Sequence, residues 1–359
     1  MNNKGFAYLR IYQEIRDNIV DGAYVYGTKL PSKRTLADSR NVSVITIQRA
    51  YSILEDEGYI ESRERSGYFV AYKKTDSFLS FPDHEQAISV SSDHQVSEDL
   101  FPLQSYARAV RKVLSVSGEY IYSRSPNTGM HELRNAIRSY LSRSKNIDVD
   151  SSQIIVGSGS EYLYGMLVLL LGHERIYALE RPSYSQIRTI YKSLGVRFEE
   201  LQLGQDGILS SELASSKASV LHVTPYNSYP SGISASASKR YEYIRWAEKD
   251  RFIIEDDYSS EYSLSRKNED TLFLLSENDN IIYLNSFSRT ISPSIRVGYM
   301  VLPKKLCEDY YRIVGAYSCT VPTLEQLVIT ELLDSGEFER HINRVRRAKR
   351  KAVHQSQTR

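Results

Sequence analysis

The sequence predicts two unlike folds in tandem, a small α+β unit at the N-terminus and a larger three-layer α/β domain after it. Three observations carry this. Apolar side chains recur at helical spacing in three short segments before residue 58, and two strand-like runs follow. From about residue 100, short apolar runs alternate with helical patterns. Between the two lies a polar stretch without sustained period. The length of 359 residues favours two or three domains over one. An apolar fraction of 41% is enough for substantial cores. With a net charge of +2, affinity for a polyanion must come from a local patch. The only cysteines, Cys307 and Cys319, lie far from metal-ligand spacing and exclude a disulfide framework. No apolar run approaches the roughly 18 residues that span a bilayer, and "MNNKGFAYLR" lacks a signal-peptide core. The expectation is a soluble cytoplasmic protein without membrane contact.

The first element is a helix with Tyr8, Ile11, Tyr12, Ile15 and Ile19 on one stripe, closed by Gly22. In "KLPSKRTLADSRNVSVITIQRAYSILEDEGYI", Ser32 follows a proline and precedes a helical pattern, as an N-cap does. Leu36 and Ala37 face the core. Asn41 breaks the pattern, and Ser43 caps a third helix that carries Ile47, Ala50, Tyr51 and Leu54 and ends at Gly58. The runs "YIESR" and "YFVAY", joined by "ERSG", form a hairpin. Three helices and a hairpin describe a winged helix-turn-helix, expected over residues 1–72. In that geometry the third helix enters the major groove of double-stranded DNA and the hairpin touches the neighbouring backbone or minor groove. Lys33 and Arg34 open the second helix, where a phosphate meets both charge and helix N-terminal amides. Thr46, Gln48 and Arg49 occupy the outer face of the third helix, where Gln can bond adenine and Arg guanine. The same pattern also suits a small helical domain with an ordinary solvated face.

Residues 73–98, "KKTDSFLSFPDHEQAISVSSDHQVSE", read as an interdomain linker, or in their second half as an irregular segment packed on the larger domain. From 99 to 359 the runs "QIIVG", "RIYAL", "VLHVTP", "FIIEDDY", "IIYLNS" and "VGYMVL" read as strands of a largely parallel sheet covered on both faces. Ligands collect at the carboxyl ends of such strands, and four polar clusters lie there. "GSGSEYLYG" opens a helix with Ser158, Gly159 and Ser160 and offers amides to an anion. "TPYNSYPSG" is a Pro/Gly-rich loop. "EDDYSSEY" places Asp256 and Asp257 at a strand end, where one of them, if buried, could hold a proton on an aromatic nitrogen. "NSFSRTISPSIRVGYM" supplies Ser286, Ser288 and Arg296 as ligands for phosphate oxygens. Each cluster alone has an ordinary explanation as a cap, a loop or a solvated turn.

"LPSKRTLA…NVSVITIQRAYSILEDEGYI…SGYFV" resembles the DNA-binding domain of GntR-type bacterial regulators. The resemblance implies a DNA-facing set of Ser32, Lys33, Arg34, Ser43, Thr46, Gln48, Arg49 and Gly67. The family often has arginine after the serine that opens the recognition helix. Val44 stands there, which implies weaker or more selective binding. "IIEDDYSSEY", "SFSRTISPSIRVGY", "FERHINRVRR" and "GSGSEYLYG" resemble the aspartate-aminotransferase-like, fold type I domain of pyridoxal 5′-phosphate (PLP) proteins. Together the two halves resemble the MocR subfamily of GntR regulators. The resemblance implies that Asp256 pairs with the pyridinium nitrogen, Tyr258 approaches the phenolic oxygen and Tyr184 stacks near the ring. It also implies that Gly159, Ser160, Ser286, Ser288 and Arg296 hold the phosphate. In the family's loop a histidine stands where this chain has Asn227, which puts that loop's contacts in question.

Residue 289 departs most. The family has there the lysine that forms a Schiff base with PLP, and this chain has Arg289. A lysine amine can lose its proton and attack an aldehyde, whereas a guanidinium stays charged and delocalised. Arg289 could therefore hold PLP only non-covalently, or could salt-bridge Asp256 or Asp257 and leave the pocket without a cofactor. Family members also continue into a small C-terminal domain with the arginine that clamps a substrate carboxylate, whereas this chain stops after "RRAKRKAVHQSQTR". The expectation is a homodimeric transcriptional regulator with a catalytically disabled aminotransferase-like domain and no metal. The rival readings are a PLP-dependent aminotransferase with an appended DNA-binding domain, and a DNA-binding protein with no ligand.

Overall fold

The computed structural model describes residues 7–63, 66–72, 102–258, 260–263 and 270–357. The expected linker at 73–98, and Glu64 and Arg65 of the expected turn, lie outside them. The chain divides into two compact units after Ser91.

The N-terminal unit has helices α1 (Ala7–Val20), α2 (Lys33–Arg40) and α3 (Val44–Asp56) and the antiparallel strands β1 (Ile60–Arg63) and β2 (Gly67–Val70). Ile11, Ile15 and Ile19 of α1 meet Ile47, Ala50, Tyr51 and Leu54 of α3 in one core, closed by Leu30, Ile60 and Val70. The helix boundaries follow from local chemistry. Ser32 and Ser43 accept from the backbone N–H groups of Thr35 and Thr46, each satisfying a donor the helix leaves free. Asn41 takes the left-handed conformation (φ 52°) that ends α2. The phenol of Tyr51 donates to the Pro31 carbonyl at 2.8 Å and ties α3 to the segment entering α2.

The larger unit opens with α4 (Leu103–Ser117) and α5 (His131–Lys145). Strands and helices then alternate: β3 (Ile154–Gly157), α6 (Ser160–Leu171), β4 (Ile176–Arg181), α7 (Ser185–Ser193), β5 (Arg197–Gln202), α8 (Ser210–Ser215), β6 (Val220–Val223), α9 (Ala237–Trp246), β7 (Phe252–Asp256), α10 (Leu272–Leu275), β8 (Ile281–Ser286), α11 (Phe287–Thr290) and β9 (Gly298–Val301). Three helices close it: α12 (Lys304–Val314), α13 (Thr323–Asp334) and α14 (Glu337–Gln357). The sheet order is β3-β9-β8-β7-β6-β4-β5, with β9 antiparallel to both neighbours. Alternation along the strands feeds two cores. Ile154, Val156, Tyr299 and Val301 pack with α5, α13 and α14, while Ile155, Leu284 and Met300 pack with α6, α7 and α12.

Six of the seven strands coincide with the apolar runs of the sequence. The seventh, β5, reads "RFEELQ" and lies at the sheet edge, where its side chains are mostly half-buried and three of the six are charged. It therefore lacks the apolar run that marks the others.

Because β9 runs against its neighbours, its first residue, Gly298, lies beside Gly157 and Ser286, the last residues of β3 and β8. Asp256 ends β7 in register with Leu284. One edge of the sheet thus collects the polar clusters.

Candidate functional site

In the N-terminal unit the exposed end of the recognition helix is more apolar than its motif suggests. Ile45 is 77% exposed and Val44 41% exposed on the first turn of α3. Gln48 is also exposed. Thr46 departs from the expected outward placement. It is half-buried, and its hydroxyl lies 2.8 Å from that of Ser43, so it supports the cap. Arg49 is exposed, but its guanidinium lies 4.4 Å above the ring of Tyr8 on α1.

On α2, Lys33 is half-buried with its ammonium 3.5 Å from the Tyr68 hydroxyl, whereas Arg34 is exposed and has no partner among the described residues. Gly67 opens β2 at φ +106°, a backbone that L side chains rarely adopt, and a Cβ there would touch the Lys29 side chain at 3.4 Å.

In the larger unit, Asp256 is buried. It accepts from the Tyr164 hydroxyl, and His222 Nε2 lies 3.4 Å from the same oxygen. His222 in turn sits 2.9 Å from the Tyr191 hydroxyl through Nδ1. This chain of groups fixes the carboxylate from behind. Tyr164 and His222 had no role in the sequence reading. The available signal was a histidine inside the apolar run "VLHV", which burial turns into a hydrogen-bonded support.

Asp257 turns to a different set. Lys145 donates to it at 2.9 Å, as do the hydroxyls of Ser260 and Tyr283 at 2.7 Å each. Burial pushes the Asp257 carboxyl up, but the Lys145 ammonium and these hydrogen bonds outweigh it and hold it below the usual range. The salt bridge from Arg289 to either aspartate, one of the two alternatives for this residue, is not formed; Asp256 and Asp257 have these other partners. Arg289 instead lies 4.2 Å above the ring of Tyr258, and its Nε has no acceptor among the described residues.

Behind Arg289, Tyr262 donates to the carbonyls of Arg289 and Thr290 at 3.2 and 3.0 Å. His341 donates from Nε2 to Thr290 O at 2.8 Å. The "FERHINRVRR" motif is thereby explained: Phe338 packs on Phe287 and Tyr140, and His341 fixes the turn that carries residue 289.

Of the expected phosphate ligands, Gly159, Ser160 and Arg296 lie at the α6 N-terminus, and Ser286 pairs with Gly298, which packs against Gly159. Gly159 (φ +90°) precedes Ser160, and a Cβ on it would meet the Arg296 guanidinium at 3.1 Å. A Cβ on Gly298 would meet Gly159 at the same distance, so glycine at both positions allows the approach. Tyr184 belongs to this set, since Glu161, Tyr258 and Arg296 all act on its phenol, which burial pushes up to about 12. Its ring meets that of Tyr229 edge-on at 6.2 Å. Ser288 donates to Ile295 O at 2.7 Å and Ser286 to Val297 O at 3.3 Å. Arg296 pairs with Glu161 at 2.7 Å. In the loop after β6, Asn227 is left-handed (φ 51°), and Ser228 donates to the buried Glu180 at 2.7 Å. Burial pushes the Glu180 carboxyl up to about 7.

No group of three or more metal-ligating side chains occurs among the described residues, and no helix among them is long and apolar enough to cross a membrane.

Comparison with known proteins agrees with both halves. Residues 7–70 match the bacterial regulatory proteins of the gntR family, and residues 93–357 match aminotransferase class I and II. The HTH-type transcriptional regulators YhdI and YdeL of Bacillus subtilis are 31% and 29% identical. The matches cover 96% of this chain and 76% and 77% of those proteins. The probable rhizopine catabolism regulatory protein MocR of Rhizobium meliloti is 28% identical over 94% of this chain and 74% of its own length.

Among solved structures, the α-aminoadipate aminotransferase LysN of Thermus thermophilus is 27% identical with a TM-score of 0.62. It covers 70% of this chain and 65% of its own. A kynurenine aminotransferase of Pyrococcus horikoshii, 22% identical with a TM-score of 0.63, covers 69% and 64% and shares the fold. This chain thus spans just under two thirds of those two enzymes' length. It belongs to the GntR-type, MocR-like family of transcriptional regulators, in which a helix-turn-helix module is joined to an aminotransferase-like domain of fold type I.

Proposed function

We propose that this regulator reads double-stranded DNA through α3 and uses its aminotransferase-like domain to sense and to dimerise, without catalysing transamination. The single observation that carries the reading is the side chain at position 289. The turn after β8 is held by Tyr262 and His341 as a reactive residue would need, yet it presents a guanidinium stacked on Tyr258. A guanidinium stays protonated across the accessible pH range and has no nucleophilic amine to offer.

On the DNA side, Arg34 would meet a phosphate at the α2 N-terminus, and Gln48 would bond a base edge. Ile45, exposed on the same turn, would touch a thymine methyl. Lys33, already on Tyr68, and Arg49, already on Tyr8, would act from those positions. Ser32 and Ser43 hold the two helix starts, Thr46 braces the second cap, and Gly67 lets the wing turn.

PLP, where bound to this class of domain, supplies an electron sink for amino-acid chemistry. The residues here fit such a group held without a covalent link. Asp256, braced by Tyr164 and His222, is placed to hold a proton on a ring nitrogen. Tyr184 would stack near the ring, Tyr258 would approach its phenolic oxygen, and Gly159 would let the backbone approach Arg296 at the phosphate end.

A second copy of this chain would cover exposed apolar side chains. Leu114, Val116 and Tyr122 are exposed, as are Ile313 and Tyr317, and hydrogen bonds from Arg124 to Ser318 and from Asn127 to Gly315 join the two segments that carry them.

The experiment is an absorbance spectrum of the purified protein with added PLP. The parent protein should show no band that borohydride traps on a lysine. Arg289→Lys should create one, trapped at residue 289. Turnover of an amino donor and a keto acid by the parent would sink the reading.

A further inference from the structure

Three side-chain donors expected to hold a phosphate already have acceptors within the protein. The Ser286 and Ser288 hydroxyls donate to the carbonyls of Val297 and Ile295. Arg296, the one cation of the set, is held by a carboxylate: its Nη2 lies 2.7 Å from Glu161 Oε2. Glu161 belongs to the first turn of α6, where free backbone N–H groups and the helix dipole favour a negative charge. A phosphate would be drawn to the same place by the same forces. Gly159 brings the backbone to this point as well, close enough that a Cβ on it would crowd the guanidinium at 3.1 Å. The cup thus already holds an anion that the chain itself supplies.

We infer that Glu161 is a tethered competitor for the ligand's phosphate, and that it weakens this pocket's preference for dianionic, phosphorylated ring compounds. The inference rests on the reading above that the pocket takes such a ring without a covalent link. A phosphate entering the cup must displace the carboxylate from Arg296 or share the guanidinium with it. In the second case a dianion sits beside a fixed negative charge. Both side chains are partly in water, 49% exposed for Arg296 and 40% for Glu161, so the pair is a weak lock and not a permanent closure. Its consequence is graded selectivity. Phosphorylated and unphosphorylated forms of one ring should bind with closer affinities than an open phosphate cup would allow. Glu161 acts here as a specificity-determining residue through Arg296 and has no part in any bond-making step.

The test measures the binding of PLP and of pyridoxal, which lacks the phosphate, to the full chain by equilibrium dialysis. The parent protein is compared with Glu161→Gln, and a matching thermal melt shows that the variant is folded. Glu161→Ala serves if the amide is not tolerated. Removing the charge should tighten PLP about three- to tenfold, as expected for a partly exposed charge pair and a relieved repulsion, and should leave pyridoxal unchanged. Equal PLP affinity in parent and variant overturns the inference, as does an equal gain for pyridoxal. Absence of PLP binding to either protein also overturns it, because Glu161 would then not be what keeps phosphate out. By contrast, PLP trapped by borohydride on a lysine of the parent would defeat the non-covalent reading while leaving the affinity ratio to be read.

Discussion

Adjacent residues in "EDDY" have opposite surroundings. Asp256 ends β7 among Tyr164 and His222, and Asp257 points to Lys145, Ser260 and Tyr283. Side chains alternate along a strand, so two carboxylates one residue apart leave on different faces. The sequence marked both as candidates, but only their packed neighbours separate a ligand anchor from a structural ion pair. Glu180 is a third buried carboxyl, and it accepts from the Ser228 hydroxyl. Burial raises its folded-state value to about 7 against the ordinary 4.5, so the folded chain holds a proton that the unfolded chain releases. Its contribution to stability is therefore fully present below pH 4.5 and is lost as pH rises through 7. The loss is on the order of 3 kcal/mol at most. Glu180→Gln should reduce the slope of the stability profile between about pH 4.5 and 7 and stabilise the protein relative to the parent above that range. Denaturant melts across that range check it, and an unchanged slope would contradict it.

The small unit shows how much an element owes to its ends. The residues of α3 place Ile47, Ala50, Tyr51 and Leu54 on one stripe, and that stripe was legible from spacing alone. Its start was legible because Ser43 has one job that local chemistry defines. Its outer face was not, because which polar side chain is free depends on neighbours from other elements. Thr46 turned to the cap, and Arg49 lies over Tyr8. Ser43→Ala should cost about 1 kcal/mol in the unfolding free energy of this unit. DNA affinity should fall with it, since the first turn carries Ile45. A melt and a binding isotherm of the same variant check both, and a loss of affinity without any loss of stability would mean that Ser43 touches DNA directly. The edge strand β5 makes the complementary point: its pairing with β4 is set by backbone geometry, and its charged side chains give no apolar signature.

In the whole chain, two units of different architecture follow one another, matching two separate families. Dimerisation through the larger unit would place two recognition helices on spaced half-sites, so that affinity depends on assembly. Val116 is 75% exposed, and Leu114 and Tyr122 are exposed as well. A charge there should oppose burial of the patch against a second copy. Val116→Asp is expected to shift the protein towards monomer in sedimentation and to weaken operator binding at least tenfold, because one of two linked contacts is lost. A variant with unchanged mass would remove this patch from the interface.

The sequence by itself determined the two fold classes, the caps, most of the strands and the residue types at the strand ends. Those depend on periodicity and on local hydrogen bonding, which act over a few residues. Tertiary structure alone decided which carboxylate is braced and which is ion-paired, where Arg289 rests, and that Glu161 meets Arg296 across 135 positions of sequence. Such pairings are set by how the sheet brings the ends of β3, β7, β8 and the start of β9 to one edge, and no local pattern encodes that meeting.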